Sequence, residues 1–252
     1  METRRMRRIL LALAHGAACH AIFAVAVAAM ISMMWFGMSR SFGAVPAPWL
    51  WGVNAFLALQ FAAGHSFFLS GPGRRLLARL APGADPDTSG RTLAVTTYAT
   101  VASLQLLALF ALWTPSSVVW FRAEGPLLWA FGAAYGASWL LLAKASFDAG
   151  AEVQSGLLGW WSLLRDRAPR FPPMPETGLF RVIRQPIYAA FALTLWTVPV
   201  WTPDQLLLAT ILTGYCLLGP LHKERRFDRM FGDRWRAYRA RTPYWLPTPR
   251  GR

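Results

Sequence analysis

Residues 4–38 read RRMRRILLALAHGAACHAIFAVAVAAMISMMWFGM. Four arginines stand directly before an apolar run that extends from Ile9 to about Met38 without a charge. The core of a secretory leader is only about 7–15 residues long, whereas a helix crossing a bilayer needs about 20 mostly apolar residues. The run is therefore read as an uncleaved first transmembrane helix, over about residues 9–36.

Three further runs pass the same length test, at about 50–70, 92–113 and 126–146. Two shorter ones follow at 187–200 and 204–220, separated by Pro199 and Pro203. Thr202 suits an N-cap and Pro203 a first helical turn, which predicts a helical hairpin. The expected fold is all-α: a polytopic membrane protein of about six transmembrane segments, the last two a hairpin.

Composition agrees. Of 252 residues, 55% are hydrophobic and only 15% charged, against about 25% charged in an ordinary soluble domain. The net charge of +14 raises the question of nucleic acid, but its placement argues against that partner. The basic residues sit in short blocks between apolar runs, where a membrane protein meets anionic headgroups. The segments before residue 9, at 71–91, 144–184 and 221–252 hold four, four, six and ten of them, 24 of the 26 in all. Only Arg40 and Arg122 fall on the other side. Six segments with both termini in the cytoplasm satisfy this split. Only Lys144 and Lys223 are lysines, which we read as a coding bias of a bacterium and not as mechanism; the expected location is a bacterial inner membrane.

Two stretches are amphipathic and are expected on the cytoplasmic side. Val153–Leu164 is rich in Leu and Trp before Arg165 and Arg167, as in a helix lying in the interface. From Glu224 to Arg241, Phe227, Phe231, Trp235 and Tyr238 recur at helical spacing with arginines on the other face, predicting one basic helix. Between them, the prolines of residues 170–178 forbid a helix. Cys19 and Cys216 lie in apolar runs and read as buried thiols without a disulfide framework.

No GxGxxG, Walker, HExxH or GxSxG pattern occurs, so any cofactor must be held by membrane helices and their loops. His15, His20, His65, Arg184, Gln185, Tyr188, His222 and Glu224 all fall near the cytoplasmic ends of predicted helices, and polar groups there are functional candidates. His15 and His20 are not on one helical face and no acidic cluster joins them, so no metal site is expected. Gln60 and Gln105 sit mid-helix, where bonds to neighbouring helices are the expected role. Gly132 and Gly136 form a GxxxG pattern of the kind that packs helices closely.

The most informative stretch is GLFRVIRQPIY, Gly178 to Tyr188, entering the hairpin. After the hairpin come Lys223-Glu224, Phe231-Gly232, Trp235, Tyr238, Pro243 and Leu246-Pro247. This order resembles the isoprenylcysteine carboxyl methyltransferase and phospholipid methyltransferase superfamily, whose hallmark is a Gly-Leu-(Tyr/Phe)-x-x-x-Arg-His-Pro-x-Tyr element, a hairpin, Glu-Glu and Phe-Gly. Gln60 and Gly64-His65-Ser66, followed by Gly73-Arg74-Arg75, look like the branch containing methanethiol S-methyltransferases and the membrane proteins associated with nitric oxide reduction. Gln185 stands where the family usually has His, Ala190 replaces a common Gly, and Lys223 replaces the first Glu.

The resemblance implies a single methyltransferase-like domain over 1–252 with a cofactor-binding core at 178–247. It implies S-adenosylmethionine as methyl donor, held by Arg181, Arg184, Gln185, Tyr188, His222 and Glu224. Arg181 or Arg184 would hold a carboxylate, Glu224 ribose hydroxyls or an ammonium, and Tyr188 an adenine or the sulfonium. His65 and Tyr188 are the catalytic candidates, His65 as a proton acceptor for a thiol or as a histidine bonded to a neighbouring helix. The acceptor expected is a small thiol or a lipid-like molecule, with membrane lipids as the other partner. The rival expectation is a non-catalytic membrane accessory protein that retains the fold.

Overall fold

A computed structural model describes residues 2–247; Arg250 and Arg252, counted above in the last basic block, lie outside that range. The fold is all-α. In chain order the elements are α1 (Glu2–Trp35), α2 (Leu50–Phe68), α3 (Gly71–Leu80), α4 (Ser89–Leu112), β1 (Phe121–Arg122), α5 (Gly125–Asp148), α6 (Ala151–Gln154), α7 (Leu157–Leu164), a 3-10 turn (Gly178–Arg181), α8 (Pro186–Trp196), β2 (Val200–Trp201), α9 (Pro203–Phe231) and α10 (Asp233–Arg241). Among the described residues, four helices, α1, α4, α5 and α9, are long and apolar enough to cross a membrane. A fifth span results if α2 and α3, which meet at a 96° bend, are taken together. Helix α8 has 11 residues, about 16 Å at 1.5 Å per residue, roughly half a hydrocarbon core. The chain divides into two compact units.

Among the described residues, the first unit comprises 2–33, 41–114 and 151–171. Asn54 of α2 clamps the end of α4, donating to the Thr114 carbonyl at 2.8 Å and accepting from the Thr114 N–H at 2.9 Å. Lower on the same pair, Gln105 donates to the side chain of Gln60 at 3.0 Å, and Gln60 donates to the Gln105 carbonyl at 3.2 Å. These are the inter-helix bonds expected of the two glutamines. Ser70 caps α3 by accepting from the Gly73 N–H at 3.2 Å.

The stretch expected as one interfacial helix over 153–164 is broken. It forms α6 and α7, interrupted at Ser155 and Gly156. Helix α7 is packed and not merely laid on a surface. The Thr96 hydroxyl donates to the Gly156 carbonyl at 2.7 Å and accepts from the Trp160 N–H at 2.8 Å. A Cβ on Gly159 would stand 2.5 Å from that hydroxyl oxygen, so the backbones approach as closely as glycine allows.

Among the described residues, the second unit comprises 34–40, 115–150 and 172–247. Strands β1 and β2 pair antiparallel, Phe121 opposite Trp201 and Arg122 opposite Val200. Thr202 caps α9 as predicted, accepting from the Gln205 N–H at 2.9 Å, with Pro203 in the first turn. The Thr202 hydroxyl donates to the Gly37 carbonyl.

The helix expected over 224–241 is also divided. Gly232 takes φ 53° and ψ −123°, a backbone state open to glycine and strained for other residues. Helix α9 therefore ends at Phe231 and α10 starts anew at Asp233. The predicted aromatic stripe survives the break: Phe227 and Phe231 from α9 pack with Trp235 and Tyr238 of α10 and with Met174. The Gly132–Gly136 pair does not mark a close helix approach among the described residues. A Cβ on Gly136 would meet nothing within 4 Å, and one on Gly132 only the Trp35 ring.

Candidate cofactor site

The approach to α8 is anchored from α5. The Asp148 carboxylate accepts from the Leu179 N–H at 2.8 Å and pairs with Lys144. Three residues beyond the 3-10 turn, the N–H of Arg184 donates to the Pro243 carbonyl at 2.9 Å, tying this segment to the end of the chain. Gln185 precedes Pro186, which opens α8. A residue before proline is disfavoured in helical geometry, and here Gln185 serves as the N-cap with its side chain wholly buried.

Three of the sequence-predicted residues meet directly. Arg184 Nε donates to Glu224 Oε1 at 2.9 Å, and Gln185 Nε2 donates to the same oxygen at 2.8 Å. Both partners of the ion pair are close to buried, with 10% and 9% of their side chains exposed. Arg184 is committed further: Nη1 donates to the carbonyls of Thr242 at 2.5 Å and Arg239 at 3.1 Å. Its guanidinium thus fixes Glu224 and the C-terminal segment at once. A buried carboxylate with two good donors is stable only while both remain, because removal of either leaves a desolvated charge.

Tyr188 joins the group through a residue that sequence reasoning noted only as a departure. Lys223 Nζ donates to Gln185 Oε1 at 3.1 Å. The same ammonium stands 5.7 Å from the Tyr188 ring centre, 5.6 Å from Phe180 and 5.5 Å from Phe227. Arg181 ends the 3-10 turn and is exposed, as is His222. His222 lies two residues from Glu224 on α9, and positions two apart on a helix do not share a face.

Glu224 also lines a cavity of about 280 Å³ together with Leu221, Arg225, Asp228 and Arg239. Residues 221, 224, 225 and 228 follow the spacing of one helical face, and Arg239 comes from α10. Two carboxylates and two guanidinium groups around one space suit a zwitterion. Arg225, Asp228 and Arg239 were not singled out from sequence; the i+1 and i+4 spacing from Glu224 is the signal that would have found the first two.

Two tyrosines close the C-terminal side. Tyr238 donates to the Phe180 carbonyl at 2.7 Å and Tyr244 to the Leu217 carbonyl at 2.7 Å. Burial pushes both phenols up, that of Tyr244 to about 12, with the Glu224 charge adding to the effect. They are donors across the ordinary pH range.

His65 belongs to the first unit. Its Nε2 stands 2.7 Å from the Tyr98 hydroxyl of α4, and its ring packs tilted on Phe61 at 5.4 Å between centres. The bond to a neighbouring helix is the plainer of its two expected roles. His15 and His20 have comparable partners, the Pro82 carbonyl at 2.9 Å and the Trp160 indole N–H at 3.1 Å.

No family model matches the chain, and no solved structure does. Among curated proteins it is 27% identical over 198 residues to a methanethiol S-methyltransferase of Pseudomonas sp., an alignment covering 77% of this chain and 72% of the relative. It is 32% identical over 152 residues to methanethiol S-methyltransferase 1 of Bradyrhizobium diazoefficiens, covering 60% of this chain and about half, 53%, of that protein. Methanethiol S-methyltransferase 2 of the same organism is 26% identical over 195 residues, with 77% and 72% covered. Over most of its length the chain is thus similar to proteins named methanethiol S-methyltransferase.

Proposed function

We propose that the protein is an integral membrane methyltransferase that uses S-adenosylmethionine and methylates a small thiol at the cytoplasmic face of a bacterial inner membrane. The observation that carries this reading is the buried Arg184–Glu224–Gln185 cluster bordering a mixed-charge cavity, in a chain similar to methanethiol S-methyltransferases. The donor set fits the amino-acid end of the cofactor: Arg225 and Arg239 for a carboxylate, Glu224 and Asp228 for an ammonium. At about 280 Å³ the cavity falls just below the range of ligand pockets, about 300–1,000 Å³, and so suits that end and not the whole molecule. Arg181, Gln185, Tyr188 and His222 are assigned to the remaining cofactor contacts, and Arg184 acts by holding Glu224.

When bound, S-adenosylmethionine supplies a methyl group activated on a sulfonium. A thiol is nucleophilic as its thiolate, and His65 is assigned the proton, its ring fixed by the Tyr98 hydroxyl. Tyr188 remains the second catalytic candidate. Methanethiol is the acceptor favoured by the names of the relatives, within the wider class of small or lipid-like acceptors. The split of basic residues supports both termini inside; reporter fusions at Gly90 and Arg122 should read inside and outside, and the reverse would overturn that orientation.

Membranes containing the protein, given methanethiol and S-adenosylmethionine, should form dimethyl sulfide above membranes without it, measured by headspace gas chromatography. No product from methanethiol, longer alkyl thiols or prenylated cysteine would contradict the enzyme reading. The internally satisfied network around Glu224 favours a second reading, a non-catalytic accessory protein, which that result would support.

A further inference from the structure

The Lys223 ammonium sits at nearly equal distance from three aromatic rings, 5.5 to 5.7 Å from the centres of Phe227, Phe180 and Tyr188. A cation within about 6 Å of an aromatic ring centre is attracted by the ring quadrupole, and the attraction grows when water is excluded. Phe180 is buried, and the ammonium donates to the neutral Gln185 Oε1 at 3.1 Å. Gln185 is itself bonded to Glu224 at 2.8 Å. Three rings, an amide oxygen and a carboxylate one bond away make a place built for positive charge. An ammonium on a four-carbon stem is a mobile occupant, since lysine has a compact charge on a flexible chain.

We propose that Phe180, Tyr188 and Phe227 form a subsite for a small onium cation, and that Lys223, which fills it in this structure, is a tethered competitor of that cation. The class of ligand is a sulfonium or a methylated ammonium, whose methyl groups carry the charge to the ring faces. The identification of that cation with the sulfonium of S-adenosylmethionine rests on the function proposed above; the cage itself does not. A competitor fixed to the chain weakens binding of a charged ligand and leaves a neutral thioether ligand less affected. Lys223 then sets the preference between methyl donor and spent product.

The test uses the full chain in detergent as wild type, Lys223→Met and Lys223→Met with Phe227→Leu, each checked for folding by thermal unfolding. The probes are trimethylsulfonium, followed by NMR titration, and S-adenosylmethionine and S-adenosylhomocysteine, followed by calorimetry. Lys223→Met should bind trimethylsulfonium about tenfold more tightly than wild type, and the added Phe227→Leu should reverse the gain. The affinity ratio of S-adenosylmethionine to S-adenosylhomocysteine should rise by a similar factor. A folded Lys223→Met protein that takes trimethylsulfonium no better than wild type overturns the proposal, even if both nucleosides bind. A gain for trimethylsulfonium without nucleoside binding in any form upholds the cage and overturns the methyltransferase reading instead.

Discussion

The amide of Gln185 donates to the Glu224 carboxylate at 2.8 Å, although 39 residues of chain separate them. The bond joins the start of α8 to the C-terminal half of α9, and its donor is wholly buried. Gln185 serves two neighbours at once, since its carbonyl oxygen accepts from Lys223 at 3.1 Å. A side chain with one amide donor group and one amide acceptor suits a position between a carboxylate and an ammonium.

Gln185→Leu should therefore cost more than a lost hydrogen bond. It leaves a buried carboxylate with one donor fewer and an ammonium without this acceptor, a penalty of about 1–3 kcal/mol for each group left unmade. Thermal unfolding in detergent should show a clear fall, and Gln185→Asn a comparable one because the shorter chain misses both partners. Stability equal to wild type in Gln185→Leu would mean that the cluster is not a structural element.

Gly178 has φ +59°, and a Cβ there would stand 2.3 Å from Asp148 Oδ2. Gly178→Ala should lose the Asp148–Leu179 bond as well as paying backbone strain of about 1–3 kcal/mol. Among the described residues, a Cβ on Gly232, with φ +53°, would meet only the end of Arg236 within 4 Å, so Gly232→Ala should suffer the strain alone. Unfolding midpoints ordered wild type, Gly232→Ala, Gly178→Ala check both parts of the argument; equal losses would remove the Asp148 contact from it.

Tyr244 is pushed up to about 12 by burial first and by the Glu224 charge second. A phenol raised in the folded state contributes stability that is complete below its unfolded value of about 10 and is lost as pH rises towards the folded value. Stability should fall between about pH 10 and 12, and Tyr244→Phe should fall less steeply there while losing its bond to the Leu217 carbonyl at every pH. Parallel curves for the two proteins across that window would contradict the assignment.

His65→Ala tests the acceptor side. If His65 takes the thiol proton, turnover drops while affinity for S-adenosylhomocysteine stays. The deficit then shrinks as pH rises towards the thiol's own pKa, where the thiolate forms unaided. A deficit that is constant from about pH 6.5 to 9 removes the base role, and unchanged turnover removes His65 from the reaction.

The apolar runs made the long helices legible, because a span of about 20 apolar residues is a signal carried by each segment alone. The Thr202 cap and the glutamine pair were legible for the same reason: each follows from one residue's chemistry in its helix. The breaks at Gly156 and Gly232 were not, since a glycine inside an amphipathic pattern is tolerated as often as it ends a helix. The Arg184–Gln185–Glu224 cluster was legible only as a set of residues. That Gln185 would bridge Lys223 and Glu224, and that Lys223 would face three rings, depends on how α8 and α9 pair, which no local pattern encodes. The GxxxG pattern misled for the converse reason: small residues permit close packing, but only a facing helix produces it.

The central claim, a methyl-donor site bordered by Glu224, is tested most directly by calorimetry of the purified wild type and Glu224→Gln with S-adenosylhomocysteine. Wild type should bind. Glu224→Gln should bind at least about tenfold more weakly, as expected for a lost charge-assisted bond, with its fold verified by circular dichroism. No heat of binding to wild type, or equal affinity in the two proteins, would contradict the claim.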